Sequence, residues 1–334
     1  MSQLPEQHRI LIESELPAET RTSWRHFHLA FESLRPELYR YCRHLTRSPW
    51  DAEDLVQDAL ARAFATLQYT ARIHEPRAWL FRVATNLWID RTRRAREELR
   101  DVLPDAATGG APGDVLATRE AAGTLIARLS PQERVAVVLK DAFDLSLDDI
   151  AGVLATTPGA IKAALHRGRG KLAADEPATP RQPVPTAIDA FCAALNAGDL
   201  AGLTAVLLDA AIVEMPGLAL DLGAAATADP TTGILYHVLH SRLTNGVPGR
   251  YLEDFLVTPP RGELRWHRGE VIALLWYGHR GGDAVRGFTR FTVDGESGQI
   301  ASIRAYFFAP EALAEVAAEL AVPFRPNGYG HADL

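Results

Sequence analysis

Aromatic and arginine side chains interleave along one segment of this chain, residues 74–99, which reads HEPRAWLFRVATNLWIDRTRRAREEL. Pro76 suits the first position of a helix because its backbone angle is already helical. Aromatic rings stack on unpaired bases and arginines meet phosphates, so one partner of this segment would be a single nucleic-acid strand. The side chains concerned are Trp79, Arg77, Arg82, Arg91, Arg93, Arg94 and Arg96. A helix with tryptophans in its core and arginines in solvent explains the same residues equally well.

Carboxylates line one side of the segment before it, residues 49–67. Pro49 and Asp51 mark the start of a predicted helix, and apolar residues then recur at helical spacing. The apolar stripe consists of Leu55, Val56, Leu60, Phe64 and Leu67. The opposite face carries Asp51, Asp54, Gln57, Asp58 and Arg62. In an arbitrary protein, such a face is most often simply solvated.

A second basic cluster closes the segment 129–172. Ser130, Pro131 and Glu133 have the order of a helix N-cap, a first helical position and a capping box. Ser146 is a second N-cap, and Pro158 opens a third helix after a short turn, which is helix-turn-helix spacing. The outward positions of the third helix are Lys162, His166, Arg167, Arg169 and Lys171. A basic helix face in solvent remains the alternative for this pattern alone.

The order of these motifs carries a family resemblance. AEDLVQDAL followed by PRAWLFRVATNLWIDRTRR resembles region 2 of bacterial RNA polymerase sigma factors. LSPQERVAVVLKD, LSLDDIAGVL and PGAIKAALHRGRGKL together resemble region 4 of the same family. Only a Pro-, Gly-, Ala- and Asp-rich stretch separates the two blocks, which is typical of the extracytoplasmic-function (ECF) class.

The resemblance implies roles for individual residues. It assigns core-polymerase contacts to Asp54, Leu55, Gln57 and Asp58. It assigns contacts with −10 DNA to Trp79, Arg82, Asn86, Arg91, Arg93 and Arg94, with a flipped base near Asn86. An amide suits a base edge because it donates and accepts together. It assigns contacts with the −35 element to Lys162, His166, Arg167, Arg169 and Lys171. The implied partners are promoter DNA and the RNA polymerase core, through its β′ clamp helices and its β flap.

The fold expected is multidomain: all-α sigma region 2 and region 4 (helix-turn-helix) domains, followed by an α+β SnoaL-like cone with a curved antiparallel sheet. The expected boundaries are 20–100 for region 2, 101–117 for a linker, 118–174 for region 4, 175–186 for a Pro-rich linker, 187–322 for the SnoaL-like domain and 323–334 for a tail. The tail is expected either to pack in an extended form or to be a disordered end.

The resemblance to SnoaL-like domains begins with AIDAFCAALNAGDLAGLTAVLLDAAIVEMPG, residues 187–217. After it, strands are expected near 250–257, 263–267, 270–277, 285–294 and 299–308, and a helix is expected at 310–320. Relatives of this fold have a pocket, so an unknown small ligand is one expected partner. The polar residues expected to line it are Glu214, His237, Trp266, His267, Trp276, Tyr277, His279 and Arg304. They have no spacing that demands catalysis, so we expect this domain to be non-catalytic. Its covalent attachment through a short Pro-rich linker raises its effective concentration near the sigma blocks, so we expect it to regulate the sigma activity in cis. A DGGGK motif known from ECF factors with such domains is absent, and DLGAAATADP stands in the comparable region.

Composition sets the remaining expectations. The net charge is −7, so DNA contacts must come from local basic clusters. Cys42 and Cys192 are expected to be buried free thiols, and neither a metal nor a cofactor is expected. The polar N-terminus lacks the features of a signal peptide, which predicts a cytoplasmic protein without a membrane partner. Two alternatives stay open: a one-component helix-turn-helix regulator with a ligand-sensing domain, and an enzyme that uses the helical part as a DNA tether.

Overall fold

The computed structural model describes residues 23, 26, 27, 29–67, 73, 75–102, 129–169, 183–216, 219–240, 260–279 and 281–329. The chain divides into a helical unit, Leu34–Thr179, and a second unit that contains Pro180–Leu334. The linker expected at 101–117 falls outside the described residues except for its first two positions, and so does most of the Pro-rich linker.

Three helices form the first block of the helical unit: α1 (Arg35–Thr46), α2 (Pro49–Leu67) and α3 (Pro76–Val102). The apolar stripe predicted along 49–67 faces inward, since Leu55, Val56 and Leu60 have almost no exposed surface. Tyr41 of α1 stacks on Phe81 of α3, with ring centroids 4.5 Å apart. The three helices therefore share one aromatic and aliphatic core.

A buried ion pair joins α1 to α2. Arg35 and Glu53 are 1% and 0% exposed, and the Arg35 guanidinium donates to Oε1 of Glu53. Gln57 Nε2 donates to the same carboxylate oxygen at 2.7 Å. Glu53 is the fifth residue of α2 and lies within an acidic stretch of sequence, yet its carboxylate belongs to the core. A charge buried so deeply is tolerated only with a partner of opposite sign.

The second block contains α4 (Pro131–Val137), a π-helical segment (Val138–Ala142), α5 (Leu147–Val153) and α6 (Pro158–Arg169). The predicted capping box is present: Glu133 N donates to Ser130 Oγ at 3.2 Å and Ser130 N donates to Glu133 Oε2 at 3.0 Å. Ser146 caps α5 by accepting from Asp149 N at 3.1 Å. These local signals give the helix-turn-helix pair α5 and α6 the positions that the sequence predicts.

The two helical blocks contact each other within this unit. Arg134 of α4 is buried, and its Nη1 donates to the carbonyl oxygen of Leu45 at 3.0 Å. Its guanidinium also lies 5.8 Å from the ring centroid of Trp88 on α3. Phe143, just after the π-helical segment, meets Phe81 edge-on at 5.4 Å. The blocks therefore share a mixed apolar and cationic interface in the described conformation.

The C-terminal unit is an α+β domain, as predicted. Its elements are α7 (Thr186–Ala197), α8 (Leu200–Ala205), β1 (Leu207–Met215), β2 (Ala219–Leu222), α9 (Ala224–Thr227), α10 (Ile234–Leu239), β3 (Arg261–His267), β4 (Glu270–Tyr277), β5 (Ala284–Val293), β6 (Ile300–Tyr306) and α11 (Pro310–Glu319). The six-stranded sheet has the order β2-β1-β6-β5-β4-β3. It is antiparallel except that β1 and β6 run parallel. The strand expected near 250–257 lies outside the described residues.

One face of the sheet packs on α7, α8 and α10. Phe191, Leu203 and Leu235 from these helices join Val213 and Tyr277 from the strands in a single buried cluster. Gly262 allows α7 to approach β3, because a β-carbon there would lie only 2.9 Å from the Leu195 side chain. Helix α11 packs against β5 with Leu313 and Val316 fully buried.

The start of the tail is an extended segment that joins β5 through one isolated parallel bridge, between Val285 and Phe324. Val285 N donates to Pro323 O at 2.9 Å, and Arg325 N donates to Val285 O at 3.0 Å. Asn327 is buried, and its side chain donates to the carbonyl oxygens of Arg286 and Phe307, both at 2.8 Å. Of the two expectations for the tail, extended packing is therefore confirmed for its described residues, 323–329.

Replacing Arg35 tests the importance of the buried ion pair. Arg35→Met should lower the free energy of unfolding of the helical unit by about 3–5 kcal/mol, because it leaves the Glu53 carboxylate buried without its partner. Arg77→Met is the matched control: its pair with Glu37 is 41% and 25% exposed. That change should cost less than about 1 kcal/mol. Urea unfolding followed by helical circular dichroism measures both, and equal losses would contradict this role for Arg35.

Candidate nucleic-acid and protein interfaces

Helix α2 presents the acidic face expected to bind another protein. Asp58 is exposed, and Asp54 and Gln57 are half-buried along the same side. Leu55 differs from them, because it is fully buried in the core. The prediction of a direct partner contact for Leu55 therefore needs correction: in this conformation it holds α2 in place and presents no surface.

Arg91 bridges α3 and α2. Its guanidinium pairs with the Asp58 carboxylate and donates to the carbonyl oxygen of Asp54 at 3.3 Å. The sequence assigns these three residues to two different partners, DNA and polymerase. The structure places them together on neighbouring helices.

Trp79, Arg82 and Asn86 lie on one side of α3. Their spacing of three and four residues puts their side chains along the same helical face. Arg82 and Asn86 are exposed and Trp79 is half-buried. Trp88 is buried, so it belongs to the core rather than to this face. The arrangement offers one aromatic ring, one amide and one cation to a ligand, which is a suitable set for an unpaired base.

The other arginines of α3 differ in their surroundings. Arg93 is exposed and pairs within its own helix with Asp90 at 3.2 Å. Arg94 is exposed as well. Arg82 lies close to the second block, since a β-carbon at Gly152 of α5 would be 3.8 Å from Arg82 Nη2. In the described conformation, α5 therefore borders one end of the candidate base-binding face.

Helix α6 carries the predicted −35 residues, and ion pairs divide them into two groups. Lys162 and His166 are one turn apart and exposed. Arg167 Nε donates to Glu133 Oε1 at 2.8 Å, and Arg169 Nε donates to Asp141 Oδ2 at 3.1 Å. The hydrogen bond and charge of Asp141 raise the pKa of Arg169. Lys171 lies outside the described residues. Sequence reasoning missed both ion pairs, because the partners lie 34 and 28 residues away.

The polar residues expected to line one pocket in the C-terminal domain do not all lie on one face of the sheet. Tyr277 joins the buried cluster under α7 and α10, and burial raises the pKa of its hydroxyl. Trp276 points to the opposite face of the sheet, because neighbouring strand residues alternate. Glu214 and Arg304 form an ion pair at 2.8 Å between β1 and β6.

The remaining pocket candidates are also tied into the fold. His267 Nε2 lies 2.7 Å from Glu319 Oε2 of α11, and Arg268 donates to the same carboxylate. The hydrogen bond from Arg268 lowers the pKa of Glu319. His237 Nε2 lies 3.0 Å from the carbonyl oxygen of Thr231. His279 is buried and Trp266 is half-buried. The eight residues are thus divided between the two faces of the sheet, helix α10 and the loop after β4, and a polar pocket among some of them stays a prediction.

Metal and membrane features were expected to be absent. Among the described residues, no group of three or more His, Cys, Asp or Glu side chains is arranged to hold a metal ion. Within the same residues, no helix has the length and apolar character needed to cross a membrane. Cys42 and Cys192 are both buried and free, and burial raises the pKa of both thiols.

Glu133 connects the helix cap to the basic helix, which gives a second stability test. Glu133→Ala should remove the reciprocal cap and destabilise the start of α4 by about 1–2 kcal/mol. Glu133→Gln should retain most of the cap, since glutamine also serves at this position, and should lose only the charge opposite Arg167. Amide hydrogen exchange across residues 131–137 should therefore accelerate more in the alanine variant. Equal acceleration in both variants would mean that the cap does not stabilise this helix.

Two family models match the helical part of the chain. Residues 30–98 match Sigma-70 region 2, and residues 119–172 match Sigma-70, region 4. The chain is 30% identical over 153 residues to the ECF RNA polymerase sigma factor SigW of Bacillus subtilis, covering 41% of this chain and 82% of SigW. It is 34% identical over 192 residues to SigJ of Mycobacterium tuberculosis, covering 53% of this chain and 61% of SigJ.

Solved structures similar to this chain include both parts of the molecule. The crystal structure of Mycobacterium tuberculosis SigJ covers 85% of this chain and 97% of its own, with a TM-score of 0.30 and 22% identity. An LEH-like epoxide hydrolase from the same organism covers 41% of this chain and 91% of its own, with a TM-score of 0.24 and 21% identity. With both sigma regions in order and a relative covered over most of its length, the chain belongs to the ECF RNA polymerase sigma factors. It carries an additional α+β domain after region 4.

Proposed function

We propose that this ECF sigma factor directs core RNA polymerase to promoters by opening the −10 element with its first helical block and reading the −35 element with its second. The observation that carries the proposal is the single face of α3 on which Trp79, Arg82 and Asn86 lie together. The functional blocks would follow the expected boundaries, 20–100 and 118–174, with the SnoaL-like domain at 187–322. A sigma subunit has no catalytic step of its own, and none is assigned here.

The acidic face of α2 supports docking on the polymerase. Asp54, Gln57 and Asp58 form a compact polar surface on the outer side of α2. A partner surface of positive charge would be attracted to it and oriented by it. Leu55 would support this surface from inside. We assign the clamp helices of β′ to this face and the β flap to the second block.

The face of α3 supports capture of an unpaired base. Extruding a base costs a few kcal/mol, which stacking and hydrogen bonds in the pocket must offset. The Asn86 amide would read the base edge, Trp79 would supply an aromatic surface, and Arg82 would meet the neighbouring phosphate. Arg91, Arg93 and Arg94 continue along the helix and would follow the backbone of the same strand.

The exposed face of α6 supports −35 reading by Lys162 and His166 in particular. Both side chains extend from the helix without an ion pair among the described residues. Arg167 is held by the capping carboxylate of Glu133, so it would orient α6 against α4 rather than read bases. Arg169 and Lys171 would contact phosphates. Arg169 would first have to break its ion pair with Asp141.

Contact between the two helical blocks implies that they separate on the promoter. At 3.4 Å per base pair, elements centred at −10 and −35 lie roughly 85 Å apart along straight DNA. Blocks joined through Arg134 and Leu45 cannot span that distance. The described conformation would therefore be that of the free subunit, and promoter binding would require the interface of Arg134, Trp88 and Phe143 to open.

The SnoaL-like domain would regulate this activity in cis. Its covalent attachment through a short Pro-rich segment keeps its effective concentration near the sigma blocks high. The tail segment is bridged to β5 and its Asn327 is buried, so the segment is part of the folded domain. A small ligand remains an expectation from the sequence, and the regulation proposed here does not depend on one.

Asn86→Ala tests the assignment of the base pocket. Promoter opening, followed by permanganate reactivity of unpaired thymines on a promoter selected by the wild-type holoenzyme, should fall about tenfold or more, as expected for loss of one bidentate base contact. Affinity for core polymerase should stay unchanged, because Asn86 lies away from the acidic face. Gln132→Ala, which removes an exposed amide from α4, is the control and should leave promoter opening unchanged. Equal losses of opening and core binding would contradict the assignment.

Truncation after Ala174 tests the regulatory role of the last domain. Run-off transcription by core polymerase should differ between the full chain and residues 1–174 at equal occupancy of the polymerase, because the domain would no longer act on the sigma blocks. The direction of the change identifies the domain as an inhibitor or an activator. Identical transcript amounts at all sigma concentrations would end the proposal of regulation in cis.

A further inference from the structure

The ion pair between Arg91 and Asp58 joins two surfaces that serve different partners under the proposed function, on which this inference rests. Asp58 lies on the acidic face of α2, and Arg91 lies on the part of α3 that would follow the DNA backbone. The Arg91 guanidinium contacts the Asp58 carboxylate and, at 3.3 Å, the carbonyl oxygen of Asp54. The Arg91 guanidinium thus binds two acceptor groups of α2, the Asp58 carboxylate and the Asp54 carbonyl oxygen.

The exposure of the Arg91–Asp58 ion pair to solvent would let each side chain exchange its partner for another ion. The side chains of Arg91 and Asp58 are 38% and 55% exposed, whereas those of the structural pair Arg35 and Glu53 are 2% and 0% exposed. Solvent-exposed ion pairs contribute little to stability, since water and salt screen them. Breaking the Arg91–Asp58 pair therefore leaves no buried charge, and either side chain can accept a competing ion of the right sign.

We propose that the Arg91–Asp58 pair couples polymerase binding to DNA binding. In the free subunit, Asp58 holds Arg91 and reduces its availability to phosphate. When a basic surface of the polymerase engages Asp58, the Arg91 guanidinium is released and binds the DNA backbone. Arg91 is then a positioning residue whose contact with DNA depends on which partner Asp58 has.

Thermodynamic linkage makes the coupling reciprocal. If polymerase binding raises the affinity for a DNA strand by freeing Arg91, a DNA strand that binds Arg91 frees Asp58 and raises the affinity for polymerase by the same factor. The pair thereby favours the ternary complex over either binary complex. It also weakens premature binding of DNA by the free subunit, together with the net charge of −7.

Binding of the free full-length chain to a single strand tests one half of the coupling. A fluorescently labelled oligo-dT of about twelve nucleotides is a suitable probe, because contacts to phosphates are independent of the base sequence. Asp58→Asn should bind it about 2- to 5-fold more tightly than the wild type, the range that loss of an exposed ion pair permits. The slope of log affinity against log salt should steepen by about 0.7, the value for one added phosphate contact on a single strand.

Two variants separate this effect from general charge. Asp51→Asn removes the same charge from an exposed position about two turns earlier on α2. This variant should leave the oligo-dT affinity unchanged. The double variant Asp58→Asn, Arg91→Gln should lose the gain, because the released guanidinium is gone. An equal gain in Asp51→Asn, or a gain that survives in the double variant, would overturn the coupling.

Core binding tests the other half. Arg91→Gln should bind core polymerase about 2- to 5-fold more tightly than the wild type, because Asp58 no longer has a competing partner. Arg40→Gln, which removes an exposed arginine from α1, should not change this affinity. Unchanged or weaker core binding by Arg91→Gln would contradict the reciprocal step.

Failure of this inference and failure of the proposed function give different results. If the wild-type holoenzyme opens promoters while Asp58→Asn gains no affinity for oligo-dT, the sigma function stands and the coupling is wrong. If the wild-type chain neither binds core polymerase nor opens promoters, the proposed function fails and the coupling fails with it.

Discussion

The buried ion pair between Arg35 and Glu53 fixes how α2 is rotated in the first helical block. With Glu53 held in the core beside Leu55 and Val56, the opposite side of α2 must face outward. That side carries Asp54, Gln57 and Asp58. The same rotation brings α2 within reach of Arg91 on α3. The outward position of the acidic face, its ion pair with α3 and the coupling proposed between these two helices all depend on this one internal constraint.

Local sequence signals predicted most of the elements and only part of the interfaces. The Ser130 capping box, the Ser146 cap and the apolar stripe along α2 are each set by neighbours within one helical turn, so the sequence shows them directly. Burial of Glu53 and the pairing of Arg167 with Glu133 join residues far apart in the chain. Helical periodicity assigns such residues to a face of a helix, but it does not identify the charged residues from distant parts of the sequence that pack against that face. The basic face of α6 is consequently smaller than the sequence suggests.

In the C-terminal domain too, the elements set by local sequence were predicted, and the contacts between distant residues were not. Hairpin loops and alternating residues located β3 to β6 well, because strand period and turn chemistry are local. The eight polar residues expected around one pocket were chosen by type alone, and alternation along β4 sends Trp276 and Tyr277 to opposite faces. The burial of Asn327 by the tail could not be read from its Pro- and Gly-rich composition. Membership of the ECF sigma factors excludes the two alternative roles of the helical blocks, a one-component helix-turn-helix regulator and a DNA tether for an enzyme.

A native pull-down of the purified full chain with bacterial core RNA polymerase, followed by run-off transcription, tests the central claim most directly. The account predicts a stable complex that initiates at specific promoters. It also predicts that a variant neutral at Asp54 and Asp58, with α2 still folded, loses the complex together with the transcripts. A full-strength complex formed by that variant would contradict the assignment of the acidic face. Absence of any complex with the wild-type chain would contradict the account of this protein as a working sigma subunit.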